Sequence, residues 1–66
     1  MNMIQIKTSL IHARMEVMML PTAELAEAIG VCPETMSRIL TRGTCKPTTL
    51  GKLALVLGLN VWELVR

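Results

Sequence analysis

Apolar residues recur along this 66-residue chain at helical spacing, in short stretches separated by turn-forming residues. Between Thr22 and Thr41, Leu25 and Ile29 lie one helical turn apart and face one core. Met36, Ile39 and Leu40 do the same on a second helix. Ala26 is a small residue where two helices must nearly touch. Gly30 follows the last periodic residue of the first of these helices, where a left-handed conformation costs least without a Cβ. Val31 can plug the turn. Pro33 suits the first position of the next helix, where no amide donor is needed.

The same pattern extends over the rest of the chain. Ile4 to Lys7 alternate apolar and polar, which predicts a short strand or an extended arm. Thr8 or Ser9 can then cap helix one, whose apolar face is Leu10 or Ile11, Met15 and Met18. Helix two is expected to start near Thr22 and helix three near Pro33. The loop Arg42-Gly-Thr-Cys-Lys-Pro carries breakers and charges. Helix four follows Pro47, with Thr48 or Thr49 as cap and Leu50, Leu53, Ala54 and Leu57 on one stripe, and Gly58 ends it. Asn60 and Glu63 have the spacing of a capping box at the start of helix five. No repeat, low-complexity tract or long linker interrupts the series. The predicted fold class is therefore all-α, five helices in one domain spanning residues 1–66.

Composition narrows this reading. A chain of 66 residues has room for one core and no second domain. It is 52% apolar with a single aromatic residue, so that core is aliphatic and methionine-rich. The six methionines fill gaps or, as Met1 and Met3, sit in a loose terminus; an adaptable binding surface is their other common use. Apolar stretches are broken within about ten positions, short of the roughly 20 residues that span a bilayer. The segment MNMIQIKTSL lacks the basic start, apolar centre and small-residue cleavage site of a secretory signal. A cytoplasmic protein without membrane partners is expected.

Total charge decides little, since the formal net charge is only +2. Its distribution says more. Residues 33–52 carry Arg38, Arg42, Lys46 and Lys52 against Glu34 alone, whereas residues 1–32 carry Lys7 and Arg14 against Glu16, Glu24 and Glu27. A surface that binds a phosphate backbone needs such a gathering of bases, although a solvated basic loop would look the same. Other chemistry is not indicated. Cys32 and Cys45 could pair, but reduced thiols are the default inside a cell. With the lone His12 they fall one short of a closed zinc site and lack metal-ligand spacing. Cys32 stands where a serine-like helix cap is common, a structural role, and His12 beside apolar neighbours reads as a boundary residue. No phosphate loop, paired-carboxylate site or nucleophile motif is present, so no enzyme, cofactor or metal is expected.

The segment Thr22 to Thr41, TAELAEAIGVCPETMSRILT, resembles the helix-turn-helix of the lambda-repressor-like family of phage repressors, Cro proteins and small bacterial regulators. The resemblance runs over roughly Ile11 to Leu64. It is strongest in LAEAIGV, in TMSRIL, and in KP followed by TLGKLALVLGLNVWEL. It implies a compact five-helix DNA-binding domain whose third helix, residues 33–41, lies in the major groove with its amino-terminal residues at the base edges.

Helical geometry places Glu34, Ser37, Arg38 and Thr41 opposite the apolar face of that helix. Arg38 can reach guanine O6 and N7 with two parallel donors, and Glu34 can accept from a cytosine amino group. Ser37 can donate or accept, and Thr35 can place its methyl against thymine. The resemblance supports Pro33, Glu34, Ser37 and Arg38 as groove-facing. Each has a plainer role open to it: Glu34 can merely complement the helix dipole, Arg38 can hold phosphate, and Ser37 can simply be exposed. Phosphate contacts are expected from Thr22, Arg42, Thr44 and Lys46, helped by the amino terminus of helix two. Pro21 and Thr22 replace the family's frequent Thr-Gln, and Gly43 comes one residue late, so the loop contacts depart from the family pattern.

The expected function is sequence-specific regulation of transcription on double-stranded DNA, as a repressor of phage or mobile-element type. No sensor domain and no small-molecule ligand are expected. Leu55, Trp62 and Val65 are apolar, and the first two stand where the family is commonly polar. They are expected to form a homodimer interface that sets two recognition helices on a near-palindromic operator. Trp62 could instead fold back onto the small core. The other readings are a helical module that binds protein and not DNA, and an accessory DNA-binding factor of recombination or excision.

Overall fold

The ends of the helices set the path of the chain. In the computed structural model, which describes residues 2–66, α1 spans Thr8–Met18, α2 Thr22–Ile29, α3 Pro33–Arg42, α4 Pro47–Leu57 and α5 Val61–Leu64. The turn after α2 is closed as the sequence predicts. Gly30 adopts φ +79°, its amide donates to the Glu27 carbonyl at 3.2 Å, and the Val31 amide donates to the Ala26 carbonyl at 2.9 Å. These bonds satisfy carbonyls that the helix end would otherwise leave open. Val31 is half-buried beneath the turn, and Ala26 is fully buried where α2 makes its most extensive contact, with α3.

Five helices are present, but the fold is not purely α. A two-stranded antiparallel sheet pairs β1, Ile4–Gln5, with β2, Thr44–Cys45, in the register Ile4 to Cys45 and Gln5 to Thr44. The amino-terminal segment is thus a strand held within the domain and not a free arm. β2 falls in the stretch expected to be a charged loop. Two residues are too few to show a period of two, so no sequence pattern marks it. Beyond the sheet, the Ile6 amide donates to the Gly43 carbonyl at 2.9 Å, and Ile6 forms an antiparallel bridge with Val65. The Lys7 amide donates to the Leu64 carbonyl at 2.7 Å, and the Arg66 amide to the Gln5 carbonyl at 3.0 Å.

Two caps differ from those expected. Lys7, its amide bonded to the Leu64 carbonyl, is the residue before α1, so the helix begins at Thr8 and neither Thr8 nor Ser9 caps it. Pro47, with its ring-fixed φ, takes the first position of α4, and the cap falls on Lys46 instead of Thr48 or Thr49. At α5 the Asn60 amide donates to Glu63 Oε1 at 3.0 Å, the return half of the expected capping box.

The core contains the residues that the spacing selects: Leu25, Ala26 and Ile29 on α2, Met36 and Ile39 on α3, and the α4 stripe Leu50, Leu53, Ala54 and Leu57. On α1, Ile11 and Met15 are buried, but Met18 is 40% exposed and departs from the expected face. The helix unwinds at Met19, and its last turn runs past the core. Ile6, Cys45 and Leu64 complete the interior from segments too short for helical periodicity. Met1 lies outside the described residues, and Met3 is 52% exposed.

Met19 closes α1 at φ +53°, the single non-glycine residue of the described chain with positive φ. A side chain in this region costs about 1–2 kcal/mol through its Cβ. Gly30 occupies the same region, and a Cβ there would meet nothing within 4 Å, so a substitution would be strained by the backbone alone. Gly30→Val is expected to destabilise the domain by more than about 1 kcal/mol, and Met19→Gly to raise the melting temperature. Thermal melts of the two variants check this. A midpoint unchanged by Gly30→Val would contradict the turn geometry.

Candidate nucleic-acid interface

Helix α3 has one buried side and one open side. Met36 and Ile39 are buried, and Leu40 packs half-buried against the core. Pro33, Glu34, Ser37, Arg38 and Thr41 are exposed. Glu34 stands in the first turn and Arg42 in the last, each on the side that the helix dipole favours. Thr35 is half-buried, with its Oγ1 3.0 Å from the sulfur of Cys32, so its hydroxyl faces back along the helix start.

The segment after α3 folds back beside it through β2. This return builds a groove of about 370 Å³ whose rim includes Arg38, Arg42 and Lys46, together with Thr35, Thr44 and Thr49. Three bases and three hydroxyls thus meet at one concave surface, and none of the five glutamates lines it. The bases come from α3 and from the residue before α4. They converge because β2 pairs with β1 and turns the chain back after Gly43. Met3, Val31, Ile39 and Cys45 supply an apolar lining, and the charged groups at the groove are all basic, charge-assisted donors suited to phosphate oxygens. Lys52 is exposed on α4 and does not line it.

Thr22 does not join this set. It is half-buried at the start of α2 and lines a separate cleft with His12, Glu16 and Met19. Arg14, to which the sequence assigns no role, donates from Nε to the Leu57 carbonyl at 3.1 Å. A cation at the carboxyl end of α4 is favourable and ties α1 to α4, so this base is used inside the fold. Its position on helix one gives no sign of that partner, 43 residues away in sequence.

Leu55 and Trp62 are 83% and 79% exposed, so Trp62 does not fold back onto the core. Val65 departs from the expectation that it joins Leu55 and Trp62 in an exposed interface. α5 ends at Leu64, and Val65 is extended, half-buried and bridged to Ile6. Val61, 39% exposed, is the further open apolar residue on α5.

Among the described residues no group of three or more side chains could hold a metal ion, and no helix is long and apolar enough to cross a membrane. Compared with known proteins, the chain matches no family model, no curated protein and no solved structure.

Both cysteines are free thiols. Cys32 is exposed immediately before α3, and hydrogen bonding with the Thr35 side chain lowers its pKa from the ordinary thiol value. The hydroxyl can donate to the thiolate, which favours the charged form. Cys45, on β2, is buried, and desolvation raises its pKa. Near neutral pH, iodoacetamide is expected to alkylate Cys32 many times faster than Cys45, because the thiolate is the nucleophile. Thr35→Val should slow labelling at Cys32. Peptide mass mapping over a time course checks both, and preferential labelling of Cys45 would contradict the burial described.

Proposed function

We propose that this chain is a sequence-specific double-stranded DNA-binding regulator with a lambda-repressor-like helix-turn-helix, acting as a transcriptional repressor. The observation that carries the reading is the pairing of an open polar face on α3 with the basic groove beside it. Glu34, Ser37, Arg38 and Thr41 are exposed opposite buried Met36 and Ile39, while Arg38, Arg42 and Lys46 rim one concavity. The first set offers donors and acceptors to base edges, and the second fixes register on the backbone. A helix projecting from a rigid α2–α3 pair is the geometry by which a small domain reads a major groove.

On this reading Arg38 reads one base pair, and Arg42, Thr44 and Lys46 hold phosphates. Arg38→Ala is expected to cost roughly 1–3 kcal/mol of discrimination at a single position of the preferred site. The fold should be retained, because the side chain is exposed. The measurement is affinity for the selected site and for its single-base variants, drawn from a random duplex library. Equal weakening on every sequence would reassign Arg38 to the backbone. Failure of the wild type to enrich any duplex would remove the DNA-binding reading and favour a protein-binding helical module.

The second part of the proposal is a homodimer built on Leu55 and Trp62, without Val65. Two large apolar side chains at roughly four-fifths exposure on neighbouring helices support it. A two-fold pair would present two α3 helices about 34 Å apart to a near-palindrome. Sedimentation from micromolar to millimolar protein is expected to show a dimer for the wild type and a monomer for Trp62→Ser. A wild type that stays monomeric, and binds a half-site as well as a palindrome, would overturn the dimer.

A further inference from the structure

A second basic groove lies at the carboxyl end of α3. It measures about 610 Å³ and lies between the start of α1, the end of α3 and the last residue of the chain described. Lys7, Arg42 and Arg66 line it, with the hydroxyl-bearing Thr8, Ser9 and Thr41. No glutamate lines it. Arg42 lines both grooves, and together they take up Lys7, Arg38, Arg42, Lys46 and Arg66, five of the seven bases of the chain.

The bases of this second groove are brought together from three distant parts of the sequence by the backbone. Lys7 follows β1 and donates its amide to Leu64, Arg66 donates its amide to Gln5, and Ile6 donates to Gly43 next to Arg42. Three basic side chains are thereby brought to one concavity with no acidic side chain among its lining, an arrangement that favours occupation by an anion. We infer that the Lys7–Arg42–Arg66 groove binds a backbone phosphate of duplex DNA beyond the stretch that α3 reads. The inference rests on the DNA-binding reading above and extends its footprint.

Dimensions agree with this placement. The ten residues of α3 span about 15 Å, against a major-groove width of about 12 Å. When the amino-terminal half of α3 faces base edges, its carboxyl end reaches the groove wall, where the next phosphates stand. Lys7, Arg42 and Arg66 supply charged donors there, and Thr8 and Ser9 supply hydroxyl donors of the kind that hold phosphate oxygens.

The test compares wild type with Lys7→Gln/Arg66→Gln on a duplex that extends well beyond the selected site, across a salt titration. Each lost phosphate contact lowers the slope of log affinity against log salt by about 0.9. The double variant is expected to lose about one unit of slope with its base preference and melting temperature unchanged. In wild-type ¹⁵N spectra, the Thr8 and Ser9 amides are expected to shift on addition of the duplex. A wild type that binds the duplex while the double variant keeps its full slope, or while those amides stay still, would overturn this inference and leave the DNA-binding reading standing. Amides that respond to inorganic phosphate but not to duplex would show a free-anion site and overturn it as well. A wild type that binds no duplex at low salt would remove both.

Discussion

The extended segment Ile4–Lys7 is the constraint on which the rest of the arrangement depends. Its backbone is engaged on both sides, by Gly43, Thr44 and Cys45 after α3 and by Leu64, Val65 and Arg66 at and beyond the end of α5. Buried backbone donors and acceptors must be paired, and a segment between two others can satisfy both of its edges only in extended form. Ile6, at 1% exposure, anchors the strap in the core. Its two neighbours in the strap, Gln5 and Lys7, are exposed, so a single alternation divides the segment between packing and surface chemistry. Without this pairing, the chain after Gly43 would have no reason to turn back beside α3, and Arg42 and Lys46 would not share a concavity.

The helices were legible in the sequence because each shows its face through spacing. Leu25 and Ile29, Met36 and Ile39, and the Leu50 to Leu57 stripe are one or two turns apart, and all are buried. Gly30 and Pro33 mark the α2–α3 turn chemically as well as by position. What escaped is what has no period. β1 was expected from the alternation of Ile4 to Lys7, but β2 is only two residues long, and the pairing partners are 39 and 41 residues apart. Cys45, in a stretch rich in charge and turn formers, becomes core because β2 turns it inward. Met18 fails for the opposite reason: it has the right spacing, but α1 extends past the core that the spacing presupposes.

The same division holds for the candidate site. The exposed face of α3 follows from helical geometry once Met36 and Ile39 are inward, so Glu34, Ser37, Arg38 and Thr41 could be named in advance. The grouping of Arg38, Arg42 and Lys46 could be expected from proximity in sequence. The approach of Lys7 and Arg66 could not, because it depends on the strap. Nor could the removal of Arg14 to the end of α4, or of Thr22 to a different cleft. A net charge of +2 understates the surface for this reason. Charges separated by more than a Debye length, about 8 Å at physiological salt, act almost independently, so local grouping governs contact with a phosphate chain more than the total does.

The strap also fixes the far side of the domain. A helix of four residues such as α5 has too few internal hydrogen bonds to persist by itself. It is held by burial of Leu64, by the Lys7 amide on the Leu64 carbonyl, and by the bridge from Ile6 to Val65. Val65 is consumed in this attachment. Trp62, two residues before Leu64, is consequently carried on a short rigid mount and directed outward. Its exposure is therefore not that of a frayed terminus. A side chain of that size, fixed in water by a fully buried neighbour and two backbone bonds, is displayed by the fold, because the turn that buries Leu64 leaves Trp62 no route to the interior.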